Sequence, residues 1–160
     1  MKAAFLIGCL LCLGVANAIA EEIRIPIGAT IEGETMFGAY AVEPGNTPTN
    51  PNPFLAIRAL QNPKGVGGEE IPLKNCVFLG DVFSDIKVNR AYFKASRIKC
   101  ENAKEMNGSP IKGYAVDMRD NKLGIRGTGR GEDAPKIVEV PSGEKVYVVV
   151  VEGASITIKE

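Results

Sequence analysis

Apolar and polar residues alternate along most of this chain with a period of two. Ile23, Ile25 and Ile27 are separated by Arg24 and Pro26, the spacing of a strand with one face buried. Between residues 90 and 98, Tyr92, Lys94 and Ser96 alternate with Ala91, Phe93 and Ala95. Further strand-like stretches lie at 35–42, where Gly38 marks a bend, and at 54–60 and 76–80. Others follow at 112–118, 122–127, 136–140, 145–153 and 155–158. No segment keeps an apolar period of 3.6 residues over three turns. The strongest helix candidate is a single turn at 83–88.

Punctuation between these stretches agrees with a β reading. Residues 43–53 hold four prolines and residues 62–70 are rich in glycine, so both are loops. Arg119-Asp120-Asn121 predicts a hairpin joining 112–118 to 122–127, and Pro141-Ser142-Gly143-Glu144 predicts a second one joining 136–140 to 145–153. About nine short strands with at most one or two helical turns predict an all-β fold, a small barrel or sandwich. The run Tyr147-Val148-Val149-Val150-Val151 is apolar on both faces. Such a strand is either covered on both sides within one chain or meets another subunit.

The first twenty residues change the picture, because they set the compartment. Lys2 precedes an apolar run that ends in small residues. Ala16-Asn17-Ala18 and Ala18-Ile19-Ala20 both fit the small-x-small pattern of signal-peptide cleavage, so the expected division is a signal peptide at 1–20 and one domain at 21–160. The run is also about long enough for an uncleaved anchor, and Leu6-Ile7-Gly8-Cys9 resembles a lipidation box. Cleavage after Ala18 or Ala20 removes Cys9 and Cys12 and leaves Cys76 and Cys100. The chain has 19 basic and 19 acidic residues; loss of Lys2 leaves one negative charge in excess. That balance points to neither nucleic acid nor an anionic membrane surface.

Candidate chemistry is sparse. An exported chain meets oxidising conditions, where paired cysteines become disulfides. A structural zinc site needs four ligands of the Cys or His type, and the sequence has no His. The same lack leaves a catalytic thiol without its usual base. A Cys76–Cys100 disulfide is therefore expected, contributing about 3 kcal/mol in the chain-entropy model. Gly127, Gly129 and Gly131 lie too close together for a G-x-G-x-x-G loop, and Pro135 follows instead of a helix. Asp81 and Asp85 have the spacing of paired acids, but Asp is also a turn and cap residue, and that is the reading adopted. The expectation is no catalytic, metal-binding or cofactor-binding residue: a structural protein, not an enzyme.

Several stretches, taken in order, carry a resemblance. Residues 50–60, then 73–100, then 111–127 resemble the C-terminal β-barrel domain of the TraB family, scaffold proteins of conjugative type IV secretion channels. The shared features include both cysteines, Asp81, Arg90, Ala91, Tyr92 and the Gly-Tyr-x-x-Asp run at 113–117. Residues 138–153 resemble the family's closing strands, and 23–33 its opening strand. The resemblance implies a structural part of a periplasmic and outer-membrane core complex that assembles side by side into a ring. It implies partners that are copies of the chain itself and other core proteins, including a small lipoprotein. Candidate subunit contacts are Asn52, Pro53, Asp81, Arg90, Val149 and Val150. The chain departs from the family pattern in two places: a signal peptide stands where a cytoplasmic tail, membrane helix and linker are usual, and residues 132–135 stand where a long helical insertion is usual. No nucleic acid binding and no membrane span after cleavage are expected. The alternative is a soluble periplasmic β-domain that binds another envelope protein or a glycan.

Overall fold

The structure is a computed structural model that describes residues 22–43, 54–101, 103–104, 107–128 and 137–158. The cleavage candidates Ala18 and Ala20 and the contact candidates Asn52 and Pro53 lie outside them. Eleven strands appear in chain order: β1 (Glu22–Ile25), β2 (Thr30–Thr35), β3 (Ala39–Val42), β4 (Phe54–Ala59), β5 (Val77–Asp85), β6 (Arg90–Lys99), β7 (Ser109–Asp117), β8 (Ile125–Arg126), β9 (Ile137–Val140), β10 (Lys145–Glu152) and β11 (Ala154–Thr157). The all-β expectation holds.

Strands β6, β7, β10, β2, β4 and β5 are hydrogen-bonded in that order, and β5 returns to pair with β6. The result is a closed six-stranded barrel with no free edge among its members. Alternation sorts the side chains. Ile31, Leu55, Ile57, Phe78, Phe93, Ala95, Ala115, Val146 and Val148 point inward and are fully buried. Their neighbours along each strand face out.

The β5–β6 hairpin runs on beyond the barrel. There β8 pairs with the start of β6, β3 pairs with the end of β5, and β9 pairs with β3. Thr128 N then donates to Glu139 O at 3.2 Å, which carries the end of β8 back to β9. This second, smaller closed ladder wraps Ala41, Ala91, Ile125, Val138 and Val140, all buried. At the opposite end β1 pairs with β11. This two-stranded sheet buries Ile23, Ile25 and Ile156 in the same core.

Cys76 and Cys100 are joined by a disulfide, 24 positions apart in sequence. The bond sits at the open end of the β5–β6 hairpin, just before β5 and just after β6, and both cysteines are buried. A bond of this kind persists in oxidising compartments such as the periplasm or the extracellular space. No helix among the described residues is long and apolar enough to cross a membrane.

Four expectations are corrected. Residues 83–88 form no helical turn: Phe83, Ser84 and Asp85 complete β5, and a hairpin turn follows in which Asn89 N donates to Ile86 O and Asn89 takes a φ of 51°. Ile27 does not continue the first strand. Ala29 N bonds back to Pro26 O, and the turn leaves Ile27 exposed. Of the two predicted hairpins the first is reduced to its turn, where Asp117 N bonds to Lys122 O and Gly124 N to Ala115 O, and the second does not pair. β7 meets 123–124 only at isolated bridges, and β8 then joins β6; β9 pairs with β3, while β10 pairs with β2 and β7. A short turn brings two strands close in sequence, but the buried faces of β9 and β10 belong to different closed ladders. Asp81 lies within β5 and not in a turn. Asp85 does act as a turn residue, accepting from Lys87 N at 3.0 Å.

Replacing Cys76 with Ser is expected to cost about 3 kcal/mol. For a domain of this size that lowers the melting temperature by roughly 10 °C. Thermal unfolding of the oxidised parent and the variant measures it, and equal melting temperatures would refute a stabilising role.

Candidate functional site

The outer surface of the barrel carries two apolar walls. On the first, β7 and β10 set Tyr114 opposite Val149 and Val116 opposite Tyr147. All four are half-buried. Val151 and Leu123 extend the wall and are exposed. On the second, β4 and β5 present Phe54, Leu79 and Phe83, and Phe37 stacks on Phe54 with ring centroids 6.4 Å apart. Phe83 stacks in turn on Tyr92 at 5.6 Å. In a cycle of six strands β7 lies opposite β4 and β10 opposite β5. The two walls therefore face away from each other across the barrel.

The contact candidates divide on this geometry. Asp81 stands exposed on the second wall, and Val149 is half-buried on the first. Val150 points inward and is 1% exposed. Its backbone bonds to Gly28 and Ala29 and ties the turn after β1 to the barrel. Arg90 is 9% exposed. Its guanidinium donates to Gly124 O at 2.7 Å and pairs with the Asp120 carboxylate. Arg90 thus anchors the segment after β7 to the hairpin within one chain.

A second charged centre had no role assigned from the sequence, although Asp117 ends the Gly-Tyr-x-x-Asp run. Asp117 is fully buried. It accepts from the backbone N of Arg119 and of Arg126, each at 2.8 Å, and from Arg119 Nη2 at 2.7 Å. Arg119 also donates to Arg126 O at 2.8 Å and stands 3.5 Å from the Glu144 carboxylate. Burial raises the Asp117 pKa, but the Arg119 guanidinium and the two backbone donors outweigh it and bring the pKa down to about 2. The available signal was an aspartate closing a strand with an arginine two residues on. Thr35 holds the neighbouring corner: its Oγ1 donates to Pro141 O at 2.7 Å and accepts from Glu144 N at 3.0 Å.

Among the described residues no three His, Cys, Asp or Glu side chains are grouped to hold a metal ion. No family model matches the chain, and no curated protein is similar to it.

The Asp117 pKa lies below its ordinary value in the folded state, so the unfolded chain takes up the proton first as pH falls. The stabilisation, up to roughly 2 kcal/mol for a shift of this size, is complete above pH about 4. It is lost between about 4 and 2. Urea unfolding of the parent and of Asp117→Asn should differ at pH 7 and converge towards pH 2. A constant difference across that window would contradict the assignment.

Proposed function

We propose that this chain is a structural component of the periplasmic and outer-membrane core complex of a type IV secretion system, assembling side by side with copies of itself into a ring. The observation that carries the reading is the pair of apolar walls on opposite sides of one closed barrel. A ring is built from heterologous contacts, in which one patch of a subunit meets a different patch of the next. Two walls on opposite sides supply that arrangement, whereas one wall alone would favour an isologous dimer. The ordered resemblance to TraB proteins, the stapled β-barrel and the export-like leader support the same reading. No catalytic role is part of it. Its partners are further copies and other core proteins, a small lipoprotein among them, and it crosses no membrane by itself.

In this reading the β7–β10 wall of one subunit packs on the β4–β5 wall of the next. Tyr114, Tyr147, Phe54 and Phe83 supply the aromatic area that dominates such contacts. Asp81 stands within this seam, opposite Phe54 and between Leu79 and Phe83 on β5.

Light scattering on the purified periplasmic protein, alone and with candidate core proteins, should find it in an oligomer or high-mass complex. Val149→Lys places a charge on the first wall and should give a folded monomer. Val150→Lys places one in the core and should unfold the chain, as burial of an unpaired charge requires. A parent that stays monomeric with every candidate partner would overturn the ring and favour the binding-domain alternative. So would a Val149→Lys protein with unchanged mass.

A further inference from the structure

Three breaks in strand register meet at one height of the barrel wall. Gly80, Ala95, Gly113 and Val150 are successive neighbours across β5, β6, β7 and β10. Below that row each ladder shifts: between Leu79 and Gly80, between Ala95 and Arg97, and between Val150 and Glu152. The row itself is packed tightly. A Cβ on Gly80 would stand 2.0 Å from Lys94 O, and one on Gly113 would stand 2.9 Å from Val149 O. Small residues draw the strands together in the row, and the bulges beneath it splay them apart.

The splayed wall leaves a groove of about 390 Å³ on the outside of the barrel, within the size range of sites that hold small ligands. Ile111 forms part of its floor, and Asp81, Lys94, Ser96, Lys112 and Glu152 stand around it. Ser96, Ile111 and Val151 have no register partner in the strands on either side. Residues added by a bulge leave peptide groups uncommitted to a ladder. Ser96 Oγ makes only a long contact, 3.4 Å, to Leu79 O.

The charges are balanced. Lys112 pairs with Glu152. Asp81 and Lys94 are register neighbours on β5 and β6 but form no ion pair with each other. A phosphate would meet two carboxylates here, and a metal ion two ammonium groups. A ligand bearing one charge of each sign, with backbone donors and acceptors between them, meets complementary groups throughout.

We propose that this groove docks an extended peptide segment carrying one basic and one acidic side chain. The basic group goes to Asp81, the acidic group to Lys94, and the peptide backbone bonds to the uncommitted groups at Ser96 and Ile111. This is the chemistry of strand recognition at an irregular sheet position, with backbone bonds supplying affinity and charges supplying selectivity. The groove lies on the β6–β7 face between the two walls; Asp81 also belongs to the second wall, so Lys94→Gln, on a strand outside both walls, is the variant that separates docking from ring assembly.

The test is an amide chemical-shift titration of the isotope-labelled, disulfide-bonded protein with the capped peptide Ac-Ala-Lys-Ala-Glu-Ala-NH2. Shifts are expected at Ser96, Ile111 and Lys112. The capped peptide with Gln at both charged positions should bind more weakly. Asp81→Asn and Lys94→Gln should each lower the affinity about threefold, the size expected for exposed charge contacts. Both replace exposed charges, and the dispersion of the same spectra reports whether each variant is folded. The proposal fails if no groove amide moves, if the Gln peptide binds equally well, or if both variants bind as the parent does. Equal binding of free lysine or glutamate would replace it with a simple ion site.

Discussion

Strands β5 and β6 pair over nine register positions, and both closed ladders of the molecule include that pairing. One stretch of the hairpin closes the six-stranded barrel, and its far end forms the floor of the smaller ladder made with β3, β8 and β9. The disulfide lies where the hairpin enters and leaves the barrel. Loosening this pairing would open two cores together. The alternation that fills it is simple: Phe78, Val82, Phe93 and Ala95 face the barrel, and Ser84 and Ala91 continue the same face into the extension. The cystine thus holds together the one element that the rest of the chain folds around.

The charged groups serve the same closure. Arg90 begins β6 and holds the segment through Gly124 from within. Asp117 ends β7 and gathers Arg119 and the backbone of Arg126. Both are nearly buried, and both reach across the place where the chain leaves one closed ladder for the other. Hydrogen bonds to ionised groups are stronger than neutral ones, particularly away from water. They are therefore well suited to a junction that has too little apolar area to hold itself.

Most strands were legible in the sequence because burial on one face imposes a period of two. The strands at 76–80 and 91–98, with Ala91, Phe93 and Ala95 alternating against Tyr92, Lys94 and Ser96, follow from that period; the full length of β5 does not, since 83–88 predicts a helical turn. Pairing partners were less legible. Turn residues at 119–121 and 141–144 were read as hairpins, yet each of these turns moves the chain to a different ladder, and a turn's composition carries no record of where the following strand will bond. The double-sided run at 147–151 left two readings open. In the structure Val148 and Val150 lie in the core, while Tyr147 and Val149 are half-buried on the outer wall. Asp117 escaped notice as a site because its partners besides Arg119 are backbone groups, which leave no mark in a sequence. The groove was hidden for a related reason: it arises from register shifts, and these depend on three strands at once.

The terminal pairing sets an order of events. Glu22 lies opposite Thr157, and β2 is bonded to β10, so the earliest and latest described segments are neighbours in the finished fold. A ladder of this kind cannot close until its last strand has been delivered, and long-range pairing of this sort is slow to form. The ladder between β5 and β6 is different, since it is local in sequence. It can form once Lys99 has emerged, on β4 and β2 that precede it, and its apolar face stays partly open until β7 and β10 arrive. The interval between those two moments is when the chain is most open to mispairing, and a covalent link across the hairpin keeps its register fixed while it waits.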